Sequence, residues 1–193
     1  SDFHQRVCGF AFSTYEDALY RYTVSPQLGL FQGWVNNVPE HDGIKPNENY
    51  AREILQLLTT GVYRLNEDGT QKRDGAGNLI PAYVQDDVTA LSRVLTGFTY
   101  PVPPGVAQAF PQGPDYYLGP MVPFDQYHDQ GPKSLFSGTV QLAAGQGADA
   151  EVRAAIRVLV ADSNVPPFIC KQLIQRLVTS SPSPEYLQRV VNV

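Results

Sequence analysis

Between Pro46 and Gly61 the chain commits to one helix with two chemically different sides. The run Asn47-Glu48-Asn49-Tyr50-Ala51-Arg52-Glu53 passes directly into Ile54-Leu55-Gln56-Leu57-Leu58. At about 100° per residue, Ala51, Ile54, Leu55 and Leu58 share one face, and Asn49, Glu53, Gln56 and Thr60 lie almost opposite. Such a helix has to bury its dry side while giving its other side hydrogen-bonding partners. The rest of the fold is built around that demand.

A chain of 193 residues, 42% hydrophobic and 17% charged, has the composition of a folded protein with a substantial core. Its formal net charge is -5, and no Lys or Arg lies between Arg93 and Lys133. Nucleic-acid binding needs a basic surface to displace counterions, so that class is set aside. No apolar run approaches the roughly 20 residues that cross a bilayer, and no signal-peptide pattern opens the chain. Ser183 and Pro184 open a last helix that reaches Val193 without a stop signal, so the chain reads as a fragment of a longer protein. Cys8 and Cys170 read as two buried thiols, with a single disulfide in an exported protein as the alternative.

Local signals divide the chain into a helical part (1–61), a β insert (62–83), a helix (84–97), a long loop (98–138) and C-terminal helices (148–193), in a single domain. Ser13 and Glu16 form a capping box for a helix over 14–24, and Pro26 opens a second helix to about Val35. Asn36 to Pro46 is a polar loop holding His41 and Asp42. Asp68-Gly69 and Asp74-Gly75 supply tight turns, so 62–83 reads as a hairpin or meander that can be shortened without unfolding the helical body. Over Gln85–Thr96 the spacing puts Val88, Leu91 and Leu95 inward and Asp86, Asp87 and Arg93 outward, with Gly97 as the stop. Pro101 to Pro132 carries eight prolines and no helical period. Its aromatics argue for a packed loop. Helices resume over 149–161 and 166–178, the latter capped by Ser163 or Asn164. The fold class is mostly α: a multi-helical domain with a small β-hairpin or meander insert and a long Pro- and aromatic-rich loop.

Three runs, in this order and spacing, carry a family resemblance: Asn47 to Gly61; Tyr83-Val84-Gln85-Asp86-Asp87-Val88 leading to Leu95-Thr96-Gly97-Phe98-Thr99; and His128-Asp129-Gln130-Gly131-Pro132-Lys133. Together they resemble the bacterial domain of unknown function 1800 family (DUF1800), over nearly the whole chain. Leu65-Asn66-Glu67-Asp68-Gly69-Thr70 is similar to an insert of that family, and Ser25 to Leu30 stands where the family usually shows Pro-Ala-Met. Phe98 replaces a common Trp. Val84 replaces a Thr that commonly caps the helix, which leaves Asp86 or Asp87 to meet the helix N-terminus. The resemblance implies an exported protein (periplasm, cell surface or extracellular) without a settled biochemical activity.

The polar residues of these runs are the candidate site. Glu48 with Arg52 and Asn49 with Glu53 are i,i+4 pairs, each readable as a solvated face, a buried network or a ligand site. Arg52 is expected to bond outside its own helix, at a cost of a few kcal/mol on removal if that network is buried. His128 and Asp129 are metal or acid-base candidates, but zinc wants three or four ligands and only His4 and His41 remain as imidazoles. A turn held by Asp129 and Lys133 is the simpler reading. Asn66, Asp68 and Gly69 lack the spacing and terminal Glu of an EF-hand. Tyr116, Tyr117 and Tyr127, with Asn49, Arg52 and Lys133, are binding candidates, because aromatic faces beside acids hold sugars.

Two functions fit these residues. One is a non-catalytic binding or assembly module contacting a partner protein or polysaccharide. The alternative is a hydrolytic or polysaccharide-modifying enzyme with Glu48 or Glu53 and Asp129 as acid-base groups and His128 as shuttle or ligand. No cofactor is strongly implied, although a divalent metal at His128 and Asp129 fits the residue types. Convergence of the 47–53 helix and the His128 motif on one pocket would favour the enzyme.

Overall fold

Thr14, with extended backbone, accepts the Asp17 N–H on its hydroxyl and starts α1 (Tyr15–Thr23). The computed structural model describes residues 8–10 and 12–193. Ser13 is not the cap: its hydroxyl turns back to donate to the Phe10 carbonyl at 2.8 Å, one residue short of the position its spacing suggested. Ser25 caps α2 (Pro26–Gln32), which stops short of Val35 because Gly33 takes the left-handed conformation that closes a helix. The amphipathic run forms α3 (Asn49–Leu58), and α4 (Gln85–Val94) lies against it.

Tyr50, Ala51, Ile54 and Leu55 of α3 are essentially inaccessible and fill the centre of the core. Burying each large apolar side chain stabilises the fold by about 1.5–3 kcal/mol. Trp34 stacks on Tyr50 with ring centroids 5.9 Å apart and meets Phe98 edge-on at 5.4 Å. Thr60, expected on the polar side, is instead fully buried. The chain leaves the helix at Thr59 and folds both threonine hydroxyls back onto the Ile54 and Leu55 carbonyls.

The insert is a ladder of isolated bridges, Tyr63 to Pro81, Leu65 to Gln71 and Arg73 to Leu79. In its second turn the positive φ falls on Gly77, not Gly75, because Asp74 accepts the Ala76 and Asn78 N–H groups and delays the reversal. The long loop contains more regular structure than its prolines suggested. β1 (Phe98–Thr99) pairs antiparallel with β2 (Val122–Pro123), and β3 (Lys133–Leu135) with β4 (Val140–Leu142). Its aromatics pack on one another, with Phe110 stacked on Tyr127 at 4.2 Å and Tyr100 edge-on to Tyr117 at 5.7 Å.

The C-terminal helices α5 (Ala148–Val160), α6 (Val165–Leu177) and α7 (Pro184–Val191) follow. α5 packs on α1 and α4, and α7 packs on α6. Asn164 stands at the N-cap of α6, but its side chain leaves the helix and holds the insert. Both cysteines are free thiols. Cys8 is exposed rather than buried and Cys170 is half-buried, so neither expectation for the pair holds in full. No helix among the described residues is long and apolar enough to cross a membrane.

Candidate functional site

The polar edge of α3 closes onto the first turns of α4. Asn47 accepts the Asn49 N–H at 2.8 Å, while its own backbone N–H and carbonyl pair with the Asn37 amide. That pairing fixes the loop entering the helix. Glu48 at the N-cap reaches across to α4, where Thr89 Oγ1 donates to Oε1 and Gln85 Nε2 to Oε2, each at 2.8 Å. Arg52 does find a partner outside its helix, Gln85 Oε1 at 3.1 Å, and it lies 3.4 Å from Glu48. Its side chain is 43% exposed, so the buried network that would have made it costly to remove is absent at that position. Asn49 donates to Gln32 at 2.6 Å, and the Tyr50 hydroxyl meets Thr23 at 2.7 Å in the core.

α4 starts as the Val84 departure implied. Asp87 accepts the Val84 N–H at 2.8 Å, supplying half a capping box that a valine side chain cannot complete. Asp87 was expected outward and is 1% exposed, because its second oxygen accepts the Ser137 N–H at the β3–β4 turn. Further along α4, Arg93 grips Asp129 with two parallel hydrogen bonds of 2.8 Å. Asp129 also accepts the Gly131 N–H, and Lys133 donates to the Asp129 carbonyl. Burial pushes the Asp129 carboxyl up, but the Arg93 and Gly131 hydrogen bonds and the nearby Arg93 and Lys133 charges outweigh it and hold it below the ordinary aspartate range.

Behind this pair lies a fully enclosed network. His128 Nε2 is 2.8 Å from Glu151 Oε2, and Lys133 Nζ is 2.6 Å from the same oxygen. All three side chains are buried, with residue exposures of 3% or less. Buried charges of this kind are tolerated only when they are paired and hydrogen-bonded. The network joins the 125–135 segment to α5 and, through Asp129 and Arg93, to α4.

The candidate residues therefore separate. Glu48 and Asp129 converge on one cavity of about 180 Å³, whose walls also include Lys45, Ser92, Thr89 and Arg93. Glu53 lies instead over a smaller cavity of about 80 Å³, beside Tyr22, Gln32 and Leu57. His128 and Lys133 are sealed behind Asp129. Tyr116 and Tyr117 are half-buried in the long loop, and Tyr127 is held by its stack with Phe110. His41 is exposed at its own tight turn, with Nδ1 3.0 Å from the Pro39 carbonyl, and His4 falls outside the described residues. Among the described residues no three His, Cys, Asp or Glu side chains gather as a metal site would require.

Sequence reasoning missed Glu151 and Arg93 as members of the network. The signal for Glu151 was present: it occupies the same helical row as Ala155 and Leu159, both buried. An acid within an apolar row needs a buried cation or donor.

No curated protein and no solved structure matches the chain. A family model described as "Protein of unknown function (DUF1800)" matches residues 5–193. That match covers the Glu48 helix, the Arg93–Asp129 pair and the His128–Glu151 network alike, and the chain belongs to the DUF1800 family.

Proposed function

We propose that this chain is a non-catalytic binding or assembly module of an exported bacterial protein, contacting a partner protein or a polysaccharide. The observation that supports it best is the state of the acid-base candidates. A general acid or base needs a free lone pair or proton within reach of a substrate. Here His128 is enclosed, Asp129 is ionised and clamped by Arg93, and both Glu48 oxygens accept hydrogen bonds from α4. The outward features are the long loop, with Tyr116 and Tyr117 half-exposed and Val106 and Leu118 at its surface, and the edge of the insert. Export and bacterial source rest on the family likeness.

The second reading, a hydrolytic or polysaccharide-modifying enzyme, draws on one observation: Glu48 and Asp129 line the same cavity. Incubating the purified chain with peptidoglycan, cellulose and chitin, and assaying both retention and release of reducing ends, separates the two. Saturable retention without release, weakened in a Tyr116→Ala, Tyr117→Ala double variant, is the expected result for a polysaccharide ligand. Absence of retention moves the reading to a partner protein. Release that disappears in Glu48→Gln and in Asp129→Asn would establish the enzyme instead.

A further inference from the structure

Arg153 of α5 lies over the Tyr20 ring of α1, its guanidinium carbon 3.6 Å from the ring centroid. Its Nε donates to one Asp149 oxygen at 2.8 Å, and the other Asp149 oxygen takes the Tyr20 hydroxyl. On α1, Arg21 Nε is placed the same way, 2.9 Å from Asp17 one turn earlier. Both arginines are therefore anchored through Nε, and no Nη atom of either makes a hydrogen bond within the described residues. Arg52, Arg64, Arg73 and Arg93, by contrast, commit Nη atoms to protein oxygens. A guanidinium is planar and always charged, so one held at Nε offers its two Nη groups as a preset fork with little side-chain freedom left to lose on binding.

Arg21 and Arg153 line one cavity of about 440 Å³, larger than those beside Glu48 and Glu53 and within the size range of small-molecule sites. Asp17 is the only acid in its wall among the described residues, and two guanidinium groups against one carboxylate leave a surplus positive charge there. That surplus stands out in a chain whose formal net charge is -5. A monoanion balances it, whereas a phosphate dianion exceeds it. A carboxylate also fits the fork, accepting two parallel N–H bonds. The rest of the wall is mixed. Ser25, 7% exposed, accepts the Leu28 N–H, and its hydroxyl proton goes to no acceptor among the described residues. Val24 and Pro120 add apolar surface, and the Met121 N–H, bonded to the Val24 carbonyl at 2.7 Å, fastens the end of the long loop there.

We propose that this cavity binds a hydroxylated monocarboxylate of the uronic acid class. Arg21 and Arg153 grip the carboxylate, Asp17 and Ser25 meet ring hydroxyls, and Val24 and Pro120 pack against the C–H face of the sugar. The cavity shares no residue with the Glu48 cavity and includes neither Tyr116 nor Tyr117, so the site stands independently of both functional readings above.

Calorimetric titration of the chain with galacturonate, galactose and galactose 6-phosphate tests the assignment. The expected result is saturable galacturonate binding, with galactose weaker by about tenfold or more, the scale of a lost charge-assisted hydrogen bond. Both arginine side chains are half-exposed, so an Arg21→Gln, Arg153→Gln double variant should keep its fold and lose galacturonate binding. Arg21→Lys alone keeps the charge but not the fork, and should weaken binding by about tenfold; it decides if the double variant does not fold. Trigalacturonate binding more tightly than the monomer would assign the carboxylate to an acidic polysaccharide, and equal binding to a free sugar acid. Absence of galacturonate binding, equal affinity for galactose, tighter binding of the phosphate ester, or galacturonate affinity unchanged in Arg21→Lys overturns the proposal.

Discussion

Arg93 and Asp129, on different elements and 36 residues apart, form a two-point hydrogen-bonded pair with Nε to Oδ2 and Nη2 to Oδ1 both at 2.8 Å. Gly131 makes room for it: a Cβ there would lie 2.6 Å from Arg93 Nη2 and 3.2 Å from Asp129 Oδ1. Arg93→Lys keeps the charge but loses the planar fork, so it should destabilise the fold by about 1–3 kcal/mol. Gly131→Ala should act in the same direction, because the guanidinium it displaces is pinned. Denaturant midpoints of the two variants check this, and midpoints equal to wild type would contradict it.

The same pair sets an acid limit. The folded-state pKa of Asp129 is lowered, so its contribution to stability is fully present above the ordinary aspartate value of about 3.9 and is lost as pH falls through the lower folded-state value. Stability measured from pH 6 down to pH 2 should drop more steeply in wild type than in Asp129→Asn. Parallel curves would show that other carboxylates govern acid unfolding.

Lys133 and Glu151 form the dry part of the network, and the two single changes should differ from the double. Lys133→Met strands an unpaired carboxylate in the interior and should cost about 3–5 kcal/mol. Adding Glu151→Leu removes that stranded charge, so the double variant should recover much of the loss even though His128 keeps only its Thr96 contact. Thermal melts of the three proteins test the coupling; strict additivity would mean that the two groups do not interact.

Val84→Thr should stabilise. Val84 is partly exposed with extended backbone at the N-cap of α4, and Asp87 already supplies the reciprocal half of the capping box. A threonine hydroxyl there can accept the Asp87 N–H, which is worth about 0.5–1 kcal/mol. A lowered melting temperature would indicate that the valine packs more usefully than its exposure implies.

What could be read from the sequence were the features written in neighbouring residues. The α3 period placed Ala51, Ile54 and Leu55 in the core correctly, and Ser183 with Pro184 marked the start of α7. Asp87 and Thr60 were misplaced because each is buried by a partner that no local pattern announces: the Ser137 N–H for one, a chain reversal at Thr59 for the other. The His128 motif was visible, but its carboxylate was sought on α3, whereas Glu151 comes from α5. A buried ion pair joins residues distant in sequence, and only the acid's place in an apolar row hinted at it.

Asn164 joins the insert to the helical body, so the insert should prove separable at its tip but not at its base. Its side chain accepts the Leu65 N–H at 2.6 Å and donates to the Thr60 and Tyr63 carbonyls at 2.5 and 2.9 Å, while Arg64 makes two hydrogen bonds to Asp162 at 2.7 and 2.8 Å. The tip, by contrast, is exposed from Gln71 to Asn78 and held by its own turn. Replacing 72–79 with a two-residue turn should change stability by about 0.5 kcal/mol or less, since shortening an exposed loop alters chain entropy only slightly. Asn164→Leu leaves buried backbone groups without partners, at about 1–3 kcal/mol for each group left unmet, and should lower the melting temperature markedly. Comparable losses in both variants would show that the tip belongs to the cooperative core.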